Sequence, residues 1–467
     1  MKTIWKWIIF LLGAGAGLAV YLYLLSRSTD FNVLLISIDS LRADHVGCYG
    51  YGRNTSPNID ELAGEGSVFL NPISSTSWTL PAHISILTSL DISVHGVSTD
   101  GFSLHSGIKT LPEILKENSY ATACFCTSPY MNPAFGFGRG FDLYHNTDFE
   151  DPVFEDTVLP SAEQRDAVHE DITSPRITEL ALNWLEENGS RPFFLFLHMW
   201  DVHYDYIPPP PYDSLFDPDY EGDISGEKYI HNEAINADMD RRDLEHIIAL
   251  YDGEIAYTDY HLGLIFRKLK ELGIYDRTLI IVTADHGDEF FEHGNKGHRK
   301  TLYDEVIKVP LVIKLPGGKW GNRKIDSQVG LIDIVPTILE LLDINRPARI
   351  QGKSLLPLIK KDETETPRFV LSELSPVLQS FRSDDWKLLY NVPNNVSIIL
   401  DLKKDPRETH EHLIGDSAVG KRAHRDFYRR ILKDRELAVE YRGGDTGKKV
   451  EMDESQIERL RSLGYLP

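Results

Sequence analysis

The chain has 467 residues, of which 42% are hydrophobic and 26% are charged, a composition that predicts a folded protein with a large core and excludes widespread disorder. Its formal net charge of -22 excludes a nucleic-acid binder, because no basic block is available to neutralise a phosphate backbone. The three cysteines, Cys48, Cys124 and Cys126, fit neither a disulfide framework nor a zinc spacing, and we assign them no role.

The N-terminal segment differs from the rest of the chain. Residues 7–25 carry no charged side chain, and a helix of about 19 residues can cross the hydrocarbon core of a bilayer. Lys2 and Lys6 precede this run, so the positive-inside rule keeps the N-terminus in the cytoplasm. A cleaved signal peptide is the alternative, but its apolar region is usually shorter and no clear cleavage site follows Leu25. We therefore expect residues 1–30 to form a single-pass membrane anchor, with the following domain outside the cytosol.

Residues 31–346 alternate short apolar runs with helical patterns, which is typical of an α/β domain with a central, mostly parallel sheet and helices on both faces. Buried strands are predicted at residues 32–37, 67–70, 121–128, 193–197, 278–282 and 309–314. Helices are predicted at residues 82–90, 111–118, 180–188, 245–272 and 333–342.

The pattern changes in residues 347–467. Four short strands are predicted there, at residues 369–373, 380–382, 386–390 and 397–402, and a charged, mostly helical tail at residues 432–466. We therefore expect a small C-terminal subdomain built on an antiparallel sheet.

Several polar residues follow the predicted strands directly. Asp39 follows the first strand, and Asp285 and His286 follow the strand at residues 278–282. Ligands of open α/β sheets bind at this edge, outside the carboxyl ends of the strands. Thr79 lies at or just before a helix N-terminus, where unpaired N–H groups attract a phosphate or sulfate. These segments are therefore predicted to converge on one site.

Transfer of a phosphoryl or sulfuryl group needs an oxygen nucleophile, a cation and an acid for the leaving group. A set of two carboxylates, one imidazole and one hydroxyl suits a single divalent ion, with Mn²⁺, Zn²⁺ or Mg²⁺ tolerated. The candidate ligands are Asp39, Thr79, Asp285 and His286. Each has a simpler explanation when taken alone, such as a helix cap for Thr79 or an ordinary turn after Asp285.

Four histidines are candidates for substrate contact and leaving-group protonation, because histidine titrates near neutral pH. They are His198, His203, His293 and His298. We favour His203, which lies beyond a strand end, and His298, which lies in a glycine-flanked loop after the metal segment. A lone histidine is more often packed or solvated than catalytic.

Nine short sequence motifs between residues 38 and 406 match, in the same order, motifs of a known family. They are residues 38–44, 78–83, 198–203, 283–289, 292–294, 297–305, 309–311, 331–337 and 401–406. Through these motifs the chain resembles the sulfatase family of the alkaline phosphatase superfamily. The resemblance implies a metal-dependent hydrolase with a covalent intermediate, and it places Asp39, Asp285 and His286 on metal-ligand positions and Thr79 on the nucleophile position.

The resemblance also supplies weaker candidates for substrate binding. His83 falls on the position of the family signature's arginine. The candidates as a group are His83, Arg42, Asp201 and His293. A second metal is not expected, because Asp201, His203 and His298 lack the spacing of the two-zinc relatives.

Thr79 is also where the chain departs from the family. True sulfatases use a cysteine or serine that is oxidised to formylglycine, and a threonine cannot become that aldehyde. Sulfate leaves formylglycine when a hemiacetal collapses, and a sulfated threonine has no such route. A phosphorylated threonine can instead be attacked in line by water or a second alcohol. The substitution therefore favours phosphate esters, with hydrolysis and transfer both open.

The metal ligands depart from the family as well. Ser40 replaces a usual aspartate and removes a negative ligand. His286 replaces the asparagine of calcium-dependent sulfatases and favours Mn²⁺ or Zn²⁺ over Ca²⁺.

Together these features predict a membrane-anchored, metal-dependent hydrolase or transferase. Its substrate would be a phosphate or sulfate ester of a glycan, a lipid headgroup or a small molecule. The alternative is a non-catalytic descendant that binds an anionic glycan or lipid headgroup, because the oxidisable nucleophile has been lost.

Overall fold

The computed structural model describes residues 31–99, 101–147, 173–361, 368–409, 417–443, 448–450 and 460. Within these ranges, every helix is too short or too polar to span a bilayer. The anchor expected at residues 7–25 lies outside the described residues, as does most of the helical tail expected beyond residue 443.

The described strands form three sheets of eight, four and two strands. In chain order they are β1 (Asn32–Ile38), β2 (Ser67–Ile73), β3 (Ala121–Cys126), β4 (Leu143–Asn146), β5 (Phe193–Met199), β6 (Thr278–Ala284), β7 (Glu289–Phe290), β8 (Lys296–Gly297), β9 (Leu311–Lys314), β10 (Arg323–Gly330), β11 (Val370–Leu374), β12 (Leu378–Arg382), β13 (Trp386–Asn391) and β14 (Val396–Asp401). The large sheet has the order β10-β2-β9-β6-β1-β5-β3-β4. Within it only β9 runs antiparallel to its neighbours, which confirms the expected mostly parallel sheet.

The described helices lie between and after these strands. They are α1 (Pro57–Glu65), α2 (Thr79–Thr88), α3 (Ile92–His95), α4 (Leu111–Glu117), α5 (Ser174–Asn188), α6 (Arg241–Glu271), α7 (Asp304–Ile307), α8 (Ile334–Leu341), α9 (Leu356–Lys360) and α10 (Ala418–Arg442). Every residue of β1, β5 and β6 is buried, so both faces of the sheet centre are covered. These three strands are the near-continuous apolar runs that the sequence predicts.

The four-stranded sheet, β11-β12-β13-β14, is antiparallel throughout and confirms the predicted C-terminal sheet. α10 packs on it through Phe427, whose ring lies 5.5 Å from Tyr390 and 6.0 Å from Phe381. The predicted helix start at residue 432 was wrong, because Ser417 caps α10 by accepting a hydrogen bond from the backbone N–H of Gly420.

A buried ion-pair cluster joins the small sheet to α7. The Nζ of Lys387 in β13 lies 2.8 Å from Asp304 and 2.6 Å from Glu408, and its side chain is fully buried. Asp304 also pairs with Arg382 at 2.7 Å. These contacts fix the start of α7 against the small sheet.

The register of the central strands places their ends side by side. Ile38, the last residue of β1, pairs with Met199 of β5 on one side and with Ala284 of β6 on the other. The residues that follow these three strands therefore emerge at one level of the same edge. They include Asp39 and Asp285.

Candidate active site

The four predicted metal ligands lie together at this edge. The Oγ1 of Thr79 lies 3.3 Å from the Oδ2 of Asp39 and 3.4 Å from the Nε2 of His286. That Nε2 lies 3.6 Å from the Oδ1 of Asp39 and 3.3 Å from the Oδ2 of Asp285. All four side chains are buried. Segments that lie up to 247 positions apart in the chain thus meet at one point.

Local structure turns each of these groups toward the others. Thr79 is the first residue of α2, and Pro81, near the helix start, needs no hydrogen-bond acceptor there. The Nδ1 of His286 donates to the backbone oxygen of Gly287 at 3.1 Å, which leaves its Nε2 as the nitrogen with a lone pair. The hydroxyl of Ser40 donates to the Oδ1 of Asp39 at 2.9 Å. The side chains are therefore held in place before any ligand binds.

The donor atoms fit a divalent cation. The Oδ1 of Asp285 accepts hydrogen bonds from the backbone N–H groups of Ser40 and His286, but its buried Oδ2 accepts none from any described residue. Ligands arranged tetrahedrally about 2.1 Å from a zinc ion would lie about 3.4 Å apart, close to the separations found here. A bound cation would satisfy the Asp285 oxygen and offset two buried carboxylates.

The pKa values of the Asp39 and Asp285 carboxyl groups are shifted in opposite directions. Burial raises the pKa of Asp39, but the hydrogen bond with His198 and the imidazoles of His203 and His286 outweigh it and hold that pKa well below its usual range. Burial and the charge of Asp39 raise the pKa of Asp285 to about 7. Without a cation, the folded protein therefore favours a single negative charge on this pair at mildly acidic pH.

His198, at the end of β5, supports Asp39. Its Nε2 lies 3.1 Å from the Oδ2 of Asp39, and its Nδ1 donates to the backbone oxygen of Thr127 at 2.9 Å. Sequence reasoning weighed this histidine but did not retain it, although its place at a strand end was a usable signal. Its contact with a candidate metal ligand makes it a candidate positioning residue.

His203 and His298 lie next to the ligand cluster. The His298 ring lies 4.3 Å from the ring of His286 and 5.0 Å from that of His203, measured between centroids. The Nδ1 of His298 lies 2.7 Å from the Oδ1 of Asp288, whose Oδ2 accepts a 2.6 Å hydrogen bond from Tyr206. Sequence reasoning missed this role of Asp288, because the pairing depends on how the loop after β6 folds back.

Both histidines are neutral in these surroundings. Burial lowers the pKa of His203 to about 4, and burial together with His286 lowers that of His298 well below its usual range. The Nδ1 of His203 donates to the backbone oxygen of Tyr204 at 2.6 Å. In each ring the Nε2 therefore carries the lone pair.

Two of the weaker substrate-binding candidates are engaged elsewhere. The guanidinium of Arg42 donates to Asp44, to the backbone oxygen of Asp288 and to Glu292, at distances of 2.6–3.0 Å. The oxygens of Asp201 accept hydrogen bonds from the backbone N–H groups at the start of α5. Both side chains hold loops and helices in place around the site.

The other two candidates also make structural contacts. His83 lies one turn after Thr79, donates to the Thr79 backbone oxygen at 2.9 Å and contacts the hydroxyl of Ser37 at 2.9 Å, so it lies beneath the ligand cluster. His293 pairs with Glu305 through Nδ1, and its Nε2 lies 3.1 Å from the backbone oxygen of Glu408. Both nitrogens of each ring are thus occupied by these contacts.

Comparison with known families accounts for this arrangement. The family model described as Sulfatase matches residues 31–344, more than half of the chain. The chain belongs to the sulfatase family. A second model, described as N-sulphoglucosamine sulphohydrolase, C-terminal, matches residues 292–435. Sulfatase-family enzymes are metal-dependent, in agreement with the donor set at the strand ends.

Individual relatives carry different names within this family. A multifunctional alkaline phosphatase superfamily protein, PehA, of Trinickia caryophylli is 28% identical over 71% of this chain and 77% of its own length. An N-acetylglucosamine-6-O-sulfatase of Bacteroides thetaiotaomicron is 23% identical over 81% of each chain. The crystal structure of a phosphonate monoester hydrolase of Agrobacterium radiobacter superposes with a TM-score of 0.69 at 21% identity, covering 87% of this chain and 96% of that one. These likenesses support a sulfatase-like fold throughout the described domain.

Proposed function

We propose that this sulfatase-family chain is a metal-dependent enzyme that cleaves phosphate or sulfate esters through a covalent intermediate on Thr79, with phosphoesters as the favoured substrates. The observation that carries the proposal is the position of the Thr79 hydroxyl. Its oxygen lies 3.3–3.4 Å from Asp39 and His286, at the start of a helix and inside a buried set of cation ligands. Trp78 is the N-cap of this helix and Thr79 its first residue, so the Thr79 hydroxyl does not serve as a helix cap.

The chemistry follows from these positions. A divalent cation held by Asp39, Thr79, Asp285 and His286 would supply a Lewis acid that offsets negative charge on the reacting oxygens. The Thr79 oxygen attacks phosphorus, and the bond from phosphorus to the leaving alcohol breaks. The proton lost by Thr79 is held at the Nε2 of His203 or His298 and passes to the leaving oxygen. Water or a second alcohol then attacks phosphorus, the bond to Thr79 breaks and the hydroxyl regains a proton.

The preference for phosphorus rests on the nucleophile. Threonine has no aldehyde form, so a sulfated Thr79 would need water to attack sulfur directly. Among the relatives, names refer both to sulfatases and to a multifunctional alkaline phosphatase superfamily protein, so family membership is compatible with either ester. We infer that aryl phosphate mono- or diesters turn over and that aryl sulfates react slowly or stop at the adduct.

Peptide mapping of residue 79 tests this proposal. Purified full chain loaded with Mn²⁺ or Zn²⁺ is mixed with p-nitrophenyl phosphate, bis(p-nitrophenyl) phosphate or p-nitrophenyl sulfate, then quenched in acid. We expect a phosphoryl adduct on Thr79, and neither adduct nor turnover in the isosteric variant Thr79→Val. Turnover without an adduct in the wild type, and undiminished in Thr79→Val, would refute the covalent step. Binding without turnover in both proteins would favour the non-catalytic alternative.

We also propose that residues 7–25 anchor the chain in a membrane, with the catalytic domain outside the cytosol. The uncharged length of this run and the preceding Lys2 and Lys6 support the proposal. Protease added to intact cells, or to spheroplasts where an outer membrane is present, should digest the domain, whereas an equal amount of a cytosolic marker survives. Protection of the domain under these conditions would contradict the assignment.

A further inference from the structure

Helix α10 carries an exposed stripe that its packing does not explain. Six exposed residues follow one another at intervals of three or four positions and so share one face of the helix. They are Lys421, Arg425, Tyr428, Leu432, Arg435 and Val439. The three apolar members are 48%, 59% and 63% exposed, whereas the opposite face, including Ala423 and Phe427, is buried. We call these six residues the α10 stripe.

Exposed apolar residues continue beyond the helix. A groove of about 790 Å³ lies between α10 and the small sheet, and its lining includes Tyr428, Leu432 and Val392. Val392 is 38% exposed, and the neighbouring Val377, bonded to it through the backbone, is 44% exposed. Large apolar side chains therefore cluster on one surface instead of being scattered singly.

The charge of this surface is opposite to that of the chain. α10 contains eight lysine and arginine residues against four acidic residues, whereas the whole chain has a net charge of -22. The α10 stripe itself has three cations and no acidic residue. A helix with a basic rim and protruding tyrosine, leucine and valine side chains has the composition of a helix that lies at a lipid surface.

The direction of α2 shows where α10 lies in the domain. Thr79, at the start of α2, is next to Asp39 at the end of β1, and His83, one turn later, contacts Ser37, two residues earlier in β1. α2 therefore runs antiparallel to β1. Its last residues lie toward the edge of the sheet where β1 begins, the edge opposite the cation ligands.

The C-terminal half of α10 is bonded to the segment that follows α2. Arg430 pairs with Asp91, and the guanidinium of Arg442 donates to the backbone oxygen of Ser93 at 3.0 Å. This half of α10 thus lies toward the edge where the described chain enters at residue 31. The five residues between the apolar run and residue 31 can extend over at most about 18 Å, so a membrane that holds residues 7–25 would be close to this edge.

We infer that the α10 stripe docks the catalytic domain on an anionic lipid surface, with Leu432 and Val439 entering the interfacial region and the basic residues meeting the headgroups. Docking would hold the cation site facing away from the bilayer. This inference rests on the membrane anchor proposed for residues 7–25. It concerns a surface outside the active site, so it stands or fails separately from the chemistry proposed for Thr79.

A fluorophore at position 432 tests the inference in the full chain. Leu432→Cys is labelled with an environment-sensitive dye, and Tyr260→Cys, at a 47% exposed position outside the stripe, is the matched control. Native cysteines compete poorly for the dye, because burial raises the pKa of Cys48 to about 12 and Cys124 and Cys126 are buried. The labelled proteins are reconstituted into vesicles of phosphatidylcholine alone or mixed with phosphatidylglycerol.

We expect the dye at position 432 to shift to shorter wavelength and to be quenched by nitroxide-labelled lipid in the anionic vesicles, several-fold more than the dye at position 260. High salt and the double change Arg425→Glu with Arg435→Glu should reverse both signals, while the thermal midpoint and the turnover stay those of the parent.

Two results would overturn the inference. The dye at position 432 would remain as solvent-exposed as the control in both vesicles, or it would respond equally in neutral and anionic vesicles.

Discussion

Replacing Asp285 with asparagine should make the metal-free protein more stable, although it removes a cation ligand. The amide oxygen of the introduced side chain would still accept from the backbone N–H groups of Ser40 and His286, and its NH₂ group would replace the unpartnered Oδ2 near the Nε2 of His286. A pKa of about 7 in the folded chain against about 3.9 in the unfolded chain corresponds to roughly 4 kcal/mol at high pH, which is an upper limit.

The sign of this effect depends on pH. Between about pH 4 and pH 7 the folded wild type retains a proton at Asp285 that the unfolded chain has lost, so its free energy of unfolding falls as the pH rises and levels off above pH 7. Asp285→Asn has no carboxyl group at this position, so its free energy of unfolding does not fall for this reason as the pH rises. In EDTA at pH 8 we therefore expect the variant to exceed the wild type by about 1–4 kcal/mol, and the difference to vanish near pH 4.

Urea unfolding with and without metal measures both parts of the prediction. A cation at 100 times its Kd should raise the free energy of unfolding of the wild type by about 2.7 kcal/mol and that of Asp285→Asn much less. The reasoning fails if the variant is no more stable than the wild type in EDTA at pH 8. It fails equally if the difference does not depend on pH, or if metal stabilises both proteins alike.

Three further substitutions test the two histidines next to the site and the ion-pair cluster of Lys387. His203→Gln and His298→Gln should each lower kcat about 10²- to 10⁴-fold for alkyl esters and much less for p-nitrophenyl esters, whose leaving group needs no proton; equal losses for both would exclude a role in proton transfer. Lys387→Met leaves the Glu408 carboxylate buried without the cation of Lys387 and leaves Asp304 paired with Arg382 alone, and it should lower the free energy of unfolding in urea by about 3–5 kcal/mol. A loss below about 1 kcal/mol would show that the cluster does not hold α7 against the small sheet.

The sequence predicted best those strands whose residues are all buried. β1, β5 and β6 are buried on both faces, so their apolar runs located them to within two residues at each end. The convergence of Asp39 and Asp285 followed from one rule, that parallel strands end at a common edge. β10 was not predicted, because it lies at the edge of the large sheet and its sequence, Arg323–Gly330, is mostly polar.

Pairings between distant loops could not be predicted in the same way. Nothing near His298 in the sequence shows that Asp288 will orient it, because a two-stranded turn, β7 with β8, brings them together. Lys387 is one of many lysines until folding buries it between Asp304 and Glu408. The expectation for Arg42 came from a matching motif and that for His293 from histidine chemistry, and the structure places both side chains in salt bridges.

A last prediction concerns the methyl group by which threonine differs from serine at position 79. Thr79 is 1% exposed, and its branched side chain restricts the rotamers that direct Oγ1 toward Asp39 and His286. Serine would retain the hydroxyl but distribute it over three staggered positions, so if one of them is productive, kcat should fall about threefold. We expect Thr79→Ser to show this small loss with unchanged metal affinity, and Thr79→Val to show no turnover. If serine loses as much activity as valine, the oxygen of residue 79 is not the attacking group.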